Sequence, residues 1–214
     1  MPIPVPFNVS GVSRLGLRAS ALIASIAIAL CGCSINLGSL SSEPDAKGPP
    51  RVAPAGSAIG PDDITASQAA TARAEALVRS GKNEEAVAEF DSALALDPHN
   101  AEALYNRGLL YQSQKQHQPA IADFTAANGL TPQRAEPLLA RAISYLALDK
   151  VKEAVADLDE ASGDDPQNIQ IWITRGLAYE RLGDKSKAAS SYARAISIRP
   201  KDEAARSGLA RVGG

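Results

Sequence analysis

The chain has 214 residues, 45% of them hydrophobic, and 22 Lys and Arg against 24 Asp and Glu give a formal net charge of −2. A near-neutral chain without clustered positive charge lacks the electrostatic footprint of a nucleic-acid binder. Its two cysteines, Cys31 and Cys33, stand one residue apart, too close for a relaxed disulfide, and His99 and His117 do not supply zinc-ligand spacing around them.

In chain order, residues 1–18 carry Arg14 and Arg18 and no acid, and an apolar run follows from residue 19 to residue 30, broken only by Ser20 and Ser25. About a dozen apolar residues is short of the roughly 20 that span a bilayer. A positive start, a short apolar run and small residues at its end describe a secretory signal peptide. The sequence Leu30-Cys31-Gly32-Cys33 resembles the lipobox of bacterial lipoproteins. The resemblance implies a signal peptide over 1–32, cleavage before Cys33, and acylation of Cys33. Each buried CH₂ contributes about 0.8 kcal/mol, and two chains already anchor stably. The alternative is an uncleaved N-terminal anchor. Ser34 in place of Asp implies the outer membrane rather than the inner one, by the enteric sorting rule. Loss of residues 1–32 removes two basic residues and no acid, leaving 20 basic and 24 acidic for a net charge of −4.

Residues 33–61 hold the lipidated cysteine and a stretch rich in Pro, Gly and Ser without helical or strand period. Such a composition cannot bury enough apolar surface to offset its ordering entropy, so a flexible tether is expected. Its r.m.s. span would be roughly 30 Å and its extended limit roughly 95 Å. Asp62 or Asp63 offers an N-cap, and residues 62–214 form one domain with abundant Ala and Leu and almost no strand-like run, an all-α reading.

Four prolines, Pro98, Pro132, Pro166 and Pro200, stand 34 residues apart. In the same register lie Ala93, Ala127, Ala161 and Ala195; Ala86, Ala120, Ala154 and Ala188; Phe90, Phe124, Leu158 and Tyr192; Leu77, Tyr111, Tyr145 and Tyr179; and Ala74, Gly108, Ala142 and Gly176. Small residues at fixed positions let helices cross closely, and each proline ends a helix, since the residue before proline avoids the helical region. These positions resemble the tetratricopeptide repeat. The resemblance implies an all-α, right-handed superhelix of four helix-turn-helix copies, 67–100, 101–134, 135–168 and 169–202. A capping helix at 203–214 completes the fold. No copy buries its apolar face alone, so stability comes from stacking.

Four departures carry expectations. Ala70, where copy four has Trp172, predicts thin packing in copy one. Gly129 and Gly163 predict short, frayed ends to the second helices of copies two and three. Pro119 and Pro137 fall in first helical turns, where proline is tolerated. Arginine recurs as Arg73, Arg107, Arg141 and Arg175, and acids as Glu89, Asp123 and Asp157, with Ser191 in copy four. The favoured pairing joins each acid to the arginine of the following copy, leaving Arg73 unmatched; pairing within a copy would leave Arg175 unmatched.

In the family, the first helix of each copy lines the inner face of the superhelix. The resemblance therefore implies a partner-binding groove along Tyr105, Leu109, Gln112, Leu139, Ile143, Leu146, Ile173, Leu177 and Glu180, apolar in the middle and rimmed by acids and amides. It suits an amphipathic helix or an apolar extended segment. The Lys and Asn of one carboxylate-clamping mode in the family are absent. No hydrolase, zincin or phosphate-loop motif is present, and His99 and His117 read as solvated loop residues, so the chain is expected to be no enzyme and to need no cofactor or metal. The expected function is a lipid-anchored scaffold in the periplasm, at the outer membrane. It would bind a protein partner in the groove, as in the NlpI group, which presents proteases and peptidoglycan hydrolases. The alternative is a lipoprotein that assists pilus or secretin assembly.

Overall fold

The computed structural model describes residues 59–213, all within a unit spanning Gly48–Gly214. The expected signal peptide, Cys33 and the tether up to residue 58 lie outside the described residues. Among the described residues there are nine helices and no strand. Four helix pairs follow one another: α1 (Pro61–Arg79) with α2 (Asn83–Leu96), α3 (Ala101–Ser113) with α4 (His117–Leu130), α5 (Ala135–Ala147) with α6 (Val151–Asp164), and α7 (Ile169–Arg181) with α8 (Lys185–Ile198); α9 (Glu203–Val212) closes the stack. The 34-residue copies are therefore A–B helix pairs, with the capping helix where it was expected.

The helix ends repeat as faithfully as the helices. Position 15 of every copy, at Gly81, Lys115, Asp149 and Gly183, has φ between 58° and 78°. This left-handed residue lets the next N–H turn back onto the helix: Lys82, Gln116, Lys150 and Asp184 donate to the carbonyls of Leu77, Tyr111, Tyr145 and Tyr179 at 2.8–3.0 Å. Position 34 caps the following helix, with Asn100, Asn168 and Asp202 accepting from Ala103, Gln170 and Ala205. Arg134 stands there in copy two and has no acceptor to offer. Helix α1 starts at Pro61 with Gly60 as its N-cap, so neither Asp62 nor Asp63 caps it; the Asp63 carboxylate instead accepts the Gly60 N–H at 3.1 Å from the third helical position.

Two expectations about helix quality are overturned. Helices α4 and α6, with Gly129 and Gly163 near their ends, are 14 residues long, as are α2 and α8. The closing bonds are made by the backbone N–H groups of Thr131 and Asp165, which donate to Ala127 and Ala161 at 3.0 Å, and the Thr131 hydroxyl adds a second bond to the Ala127 carbonyl. A Cβ on either glycine would meet nothing within 4 Å, so no packing is lost. Nor is copy one thin. Ala70 is fully buried and shares a core cluster with Ala74 and the fully buried Phe90 of α2, whereas Trp172 sits half-exposed with its indole N–H donating to the Pro166 carbonyl at 3.0 Å. Pro119 and Pro137 occupy the first turns of α4 and α5.

The core follows the register. Phe90, Phe124, Leu158 and Tyr192 are 0–1% exposed, among alanines that are equally buried. Each A helix approaches the A helix of the next copy closely, while successive B helices make no such close backbone approach among the described residues. The A layer is thus the shorter, inner one, and the stack curves around it.

Candidate partner-binding groove

On the inner face, one apolar side chain per copy points outward: at the ninth position in copies two to four, and at the twelfth in copy one, whose ninth residue is Glu75. Leu109, Ile143 and Leu177 are each 37% exposed, and Val78 of copy one is 38% exposed. These four give the groove its open apolar surface. Tyr105, Leu139 and Ile173, one turn earlier, are half-buried. Leu139 packs on the copy-three core, and the Tyr105 ring lies 5.9 Å from that of Phe124. Burial, and the Glu136 carboxylate after it, push the Tyr105 hydroxyl above its ordinary value.

Three residues expected to face a partner are instead spent on the scaffold. Leu146 is 6% exposed and belongs to the core, and Arg181 reaches over it to donate to its carbonyl at 2.8 Å. Gln112 donates to the Ala140 carbonyl and the Ser144 hydroxyl, both at 2.7 Å, tying copy two to copy three. Glu180 is held by Arg211 and Tyr192. The groove also gains Asn106 and Leu110, which the register did not single out. Glu75 accepts from Asn106 at 2.7 Å, and these two, with Val78, Leu109 and Leu110, line a hollow of about 310 Å³ between copies one and two.

The recurring arginines pair within their own copy, against the favoured expectation. Arg73 meets Glu89 at 3.0 Å, Arg107 meets Asp123 at 2.7 Å, and Arg141 meets Asp157 at 2.8 Å. In copy four Arg175 is not left without a partner but donates to the Ser191 hydroxyl at 2.9 Å. The physical reason is the helix hairpin, which places position 7 of helix A directly beside position 23 of helix B. A link between copies does exist, through position 25 of the preceding copy. Arg107 reaches Asp91 at 2.5 Å, Arg141 reaches the Thr125 hydroxyl at 3.0 Å, and Arg175 reaches Asp159 at 2.6 Å. Where copy four has Ala193 at that position, the next helix has Leu209 in place of arginine. The Asp123 and Asp91 bonds raise the already high pKa of Arg107, the Asp123 hydrogen bond most.

At the far end, Glu180 accepts from the Tyr192 hydroxyl at 2.8 Å and from Arg211 at 2.9 and 3.0 Å, clamping α9 onto copy four. The Arg211 hydrogen bond, with that of Tyr192, holds the Glu180 carboxyl below its ordinary 4.5. Burial, and then Glu180, push the Tyr192 hydroxyl up to about 12. A lowered carboxylate contributes stability above its ordinary pKa and loses it as pH falls through the lowered one. A raised phenol contributes fully below its ordinary 10.0 and loses it as pH rises through the raised one. Ultraviolet titration is thus expected to show a tyrosine ionising near pH 12 that is missing from Tyr192→Phe. If wild type and variant titrate alike, the clamp is not formed.

Of the two histidines, His99 is exposed in a turn, 3.9 Å from Asp97. His117 is not a loop residue: it is the first residue of α4, and its Nδ1 is buried without a partner among the described residues.

Three family models match. One, described as a TPR repeat, covers residues 74–115; two, described as tetratricopeptide repeat, cover 101–134 and 139–203. No curated protein matches the chain in sequence. Among solved structures, the MamA protein is similar at 21% identity over 69% of this chain and 80% of that one, with a TM-score of 0.66. YrrB, described as a TPR protein with an unusual peptide-binding site, is similar at 21% identity over 67% and 74%, with a TM-score of 0.61. A tetratricopeptide repeat protein from Parabacteroides merdae is similar at 22% identity over 69% and 59%, with a TM-score of 0.64.

Proposed function

We propose, from the premise that residues 74–203 belong to the tetratricopeptide repeat family of protein-interaction scaffolds, that this chain is a lipid-anchored adaptor of the bacterial periplasm. It grips the apolar side of a partner in its inner groove. The observation that carries the reading is the row Leu109, Ile143 and Leu177, each 37% exposed at the same register on the inner layer. A side chain that served only the core would be covered, as Leu146 is. YrrB, similar in fold, is described as having a peptide-binding site, which supports the same use here. An amphipathic helix suits the row: successive A helices lie roughly 10 Å apart, and seven residues of partner helix rise about 10.5 Å, so one apolar residue per two turns meets each copy.

The address comes from Cys33 and the apolar run before it, which together resemble a lipoprotein signal. Acylation there would hold the repeats at the outer membrane, with the tether giving them reach. The partner class that fits such a station is a peptidoglycan hydrolase or a protease, as for the NlpI group. Two arms test the reading. Ile143→Glu with Leu177→Glu is expected to lose, by at least about tenfold, the partners that wild type retains from membranes, with an unchanged circular dichroism spectrum. Equal recovery removes the groove from the function. Cells fed a fatty-acid analogue are expected to label wild type and not Cys33→Ala; equal labelling removes the anchor.

A further inference from the structure

The charge of the described residues is divided along the stack. Residues 59–168 hold 9 basic and 18 acidic side chains, a net of −9, whereas residues 169–213 hold 9 basic and 4 acidic, a net of +5. Copy one with the start of α1, residues 61–100, has 3 basic and 8 acidic, a net of −5. The two ends of the repeat stack therefore carry opposite charge of equal size.

The two ends also differ in how they are finished. In copies two to four, the arginine at position 7 points back at the preceding copy, and the Tyr179 hydroxyl does so too, donating to Asp159 at 2.9 Å. The same positions in copy one have no preceding copy among the described residues. The Arg73 side chain is consequently 58% exposed, against 19%, 15% and 20% for Arg107, Arg141 and Arg175. A hollow opens beside it, lined by Ala76, Leu77 and Ser80 and by two ion pairs, Arg73 with Glu89 and Lys82 with Glu85. At the other end α9 covers copy four, and its outer side presents Glu203, Arg206, Ser207 and Ala210. Lys185, Lys201 and Arg206 form no ion pair among the described residues.

We infer that the basic end of one chain, copy four with α9, docks on the acidic, open edge of copy one in a second chain, continuing the stack head to tail. Both halves of the complementarity reside in one sequence, which is why a second copy is the occupant. Two copy-one edges would repel each other, as would two cap ends, so a two-fold contact is disfavoured. The head-to-tail contact is heterologous and leaves one free end of each kind, so assembly extends with concentration.

The full chain, kept in a nonionic detergent, is examined by sedimentation velocity. At about 0.01 M ionic strength the Debye length is about 30 Å, and at about 1 M it is about 3 Å. Association is expected at the first and is expected to weaken at least about tenfold at the second. Lys201→Glu with Arg206→Glu takes one end from +5 to +1; Glu84→Lys with Glu85→Lys takes the other from −5 to −1. Each pair alone is expected to stay monomeric, and an equimolar mixture of the two is expected to associate, because the intact basic end of one still meets the intact acidic edge of the other. Circular dichroism confirms that both variants remain folded. A monomeric wild type at low salt overturns the inference and leaves the basic end to a foreign anionic partner. Association of either variant alone also overturns it, since that would require a contact not made of these two ends.

Discussion

Gly176→Ala is expected to lower the thermal midpoint by about 6–12 °C, the equivalent of roughly 3 kcal/mol for a domain of this size. A Cβ built on Gly176 falls 2.6 Å from Cε1 and 2.8 Å from Cδ1 and Cζ of Tyr192. The ring has nowhere to go. Gly208 of α9 also crowds the ring, at the same Cε1, Cζ and Cδ1 atoms, and the hydroxyl is pinned by Glu180 at 2.8 Å. Gly108→Ala makes a superficially similar clash, 2.7 Å from Cε1 of Phe124. Phe124 has no hydroxyl anchor, and copy one already combines Ala74 with a fully buried Phe90, so the ring can tilt; about half the loss is expected there. Gly176→Ala with Tyr192→Leu copies the Ala142–Leu158 pair of copy three and is expected to regain more than half of the single variant's loss. Calorimetry of the three variants beside wild type decides it. Equal losses at Gly108 and Gly176 would show that the hydroxyl anchor contributes nothing.

The sequence displays that small position and its large neighbour because both are demanded in every copy: a crossing tight enough for glycine or alanine, and a ring or leucine to fill the gap. The helix pairs, the prolines in the turns and the cap were legible for the same reason. Burial within the groove was not. Val78 and Leu146 share a register, yet one is 38% and the other 6% exposed. What differs is the copy that follows: Arg181 folds over Leu146, whereas the same position of copy two holds the short Ser113, bonded to its own helix, and leaves Val78 beside an open hollow. Such differences depend on side chains one copy away and leave no trace in the periodic positions. The arginine links show a second limit. A search for acids finds position 23 and misses position 25, because Thr125 interrupts the acidic row of Asp91 and Asp159. A search for acceptors of any kind would have found Asp, Thr, Asp and then Ala193, coincident with the loss of arginine at Leu209.

Those links lead to the second large effect. Arg141→Met is expected to cost about 3 kcal/mol, whereas Arg73→Met is expected to cost at most about 1 kcal/mol. The pairs are chemically alike but differ in burial. The Asp157 side chain is 8% exposed and that of Arg141 15%, against 33% for Glu89 and 58% for Arg73. Two hydrogen bonds of 2.8 Å satisfy both Asp157 oxygens. Removal of the guanidinium leaves a carboxylate with little access to water, and most of the expected cost is the stranded charge rather than the lost attraction. Copy four supplies the control, because Ser191 stands at the aspartate position and its hydroxyl donates to the Lys187 carbonyl one turn back at 2.8 Å. A serine there is satisfied by its own helix. Arg141→Met with Asp157→Ser is therefore expected to recover about 2 kcal/mol of the loss, a coupling of the size that directly bonded neighbours show. Urea denaturation of the single and double variants measures it. If the double variant is as unstable as Arg141→Met alone, the stranded carboxylate is not the cause, and the arginine acts through its contact with Thr125 in the preceding copy.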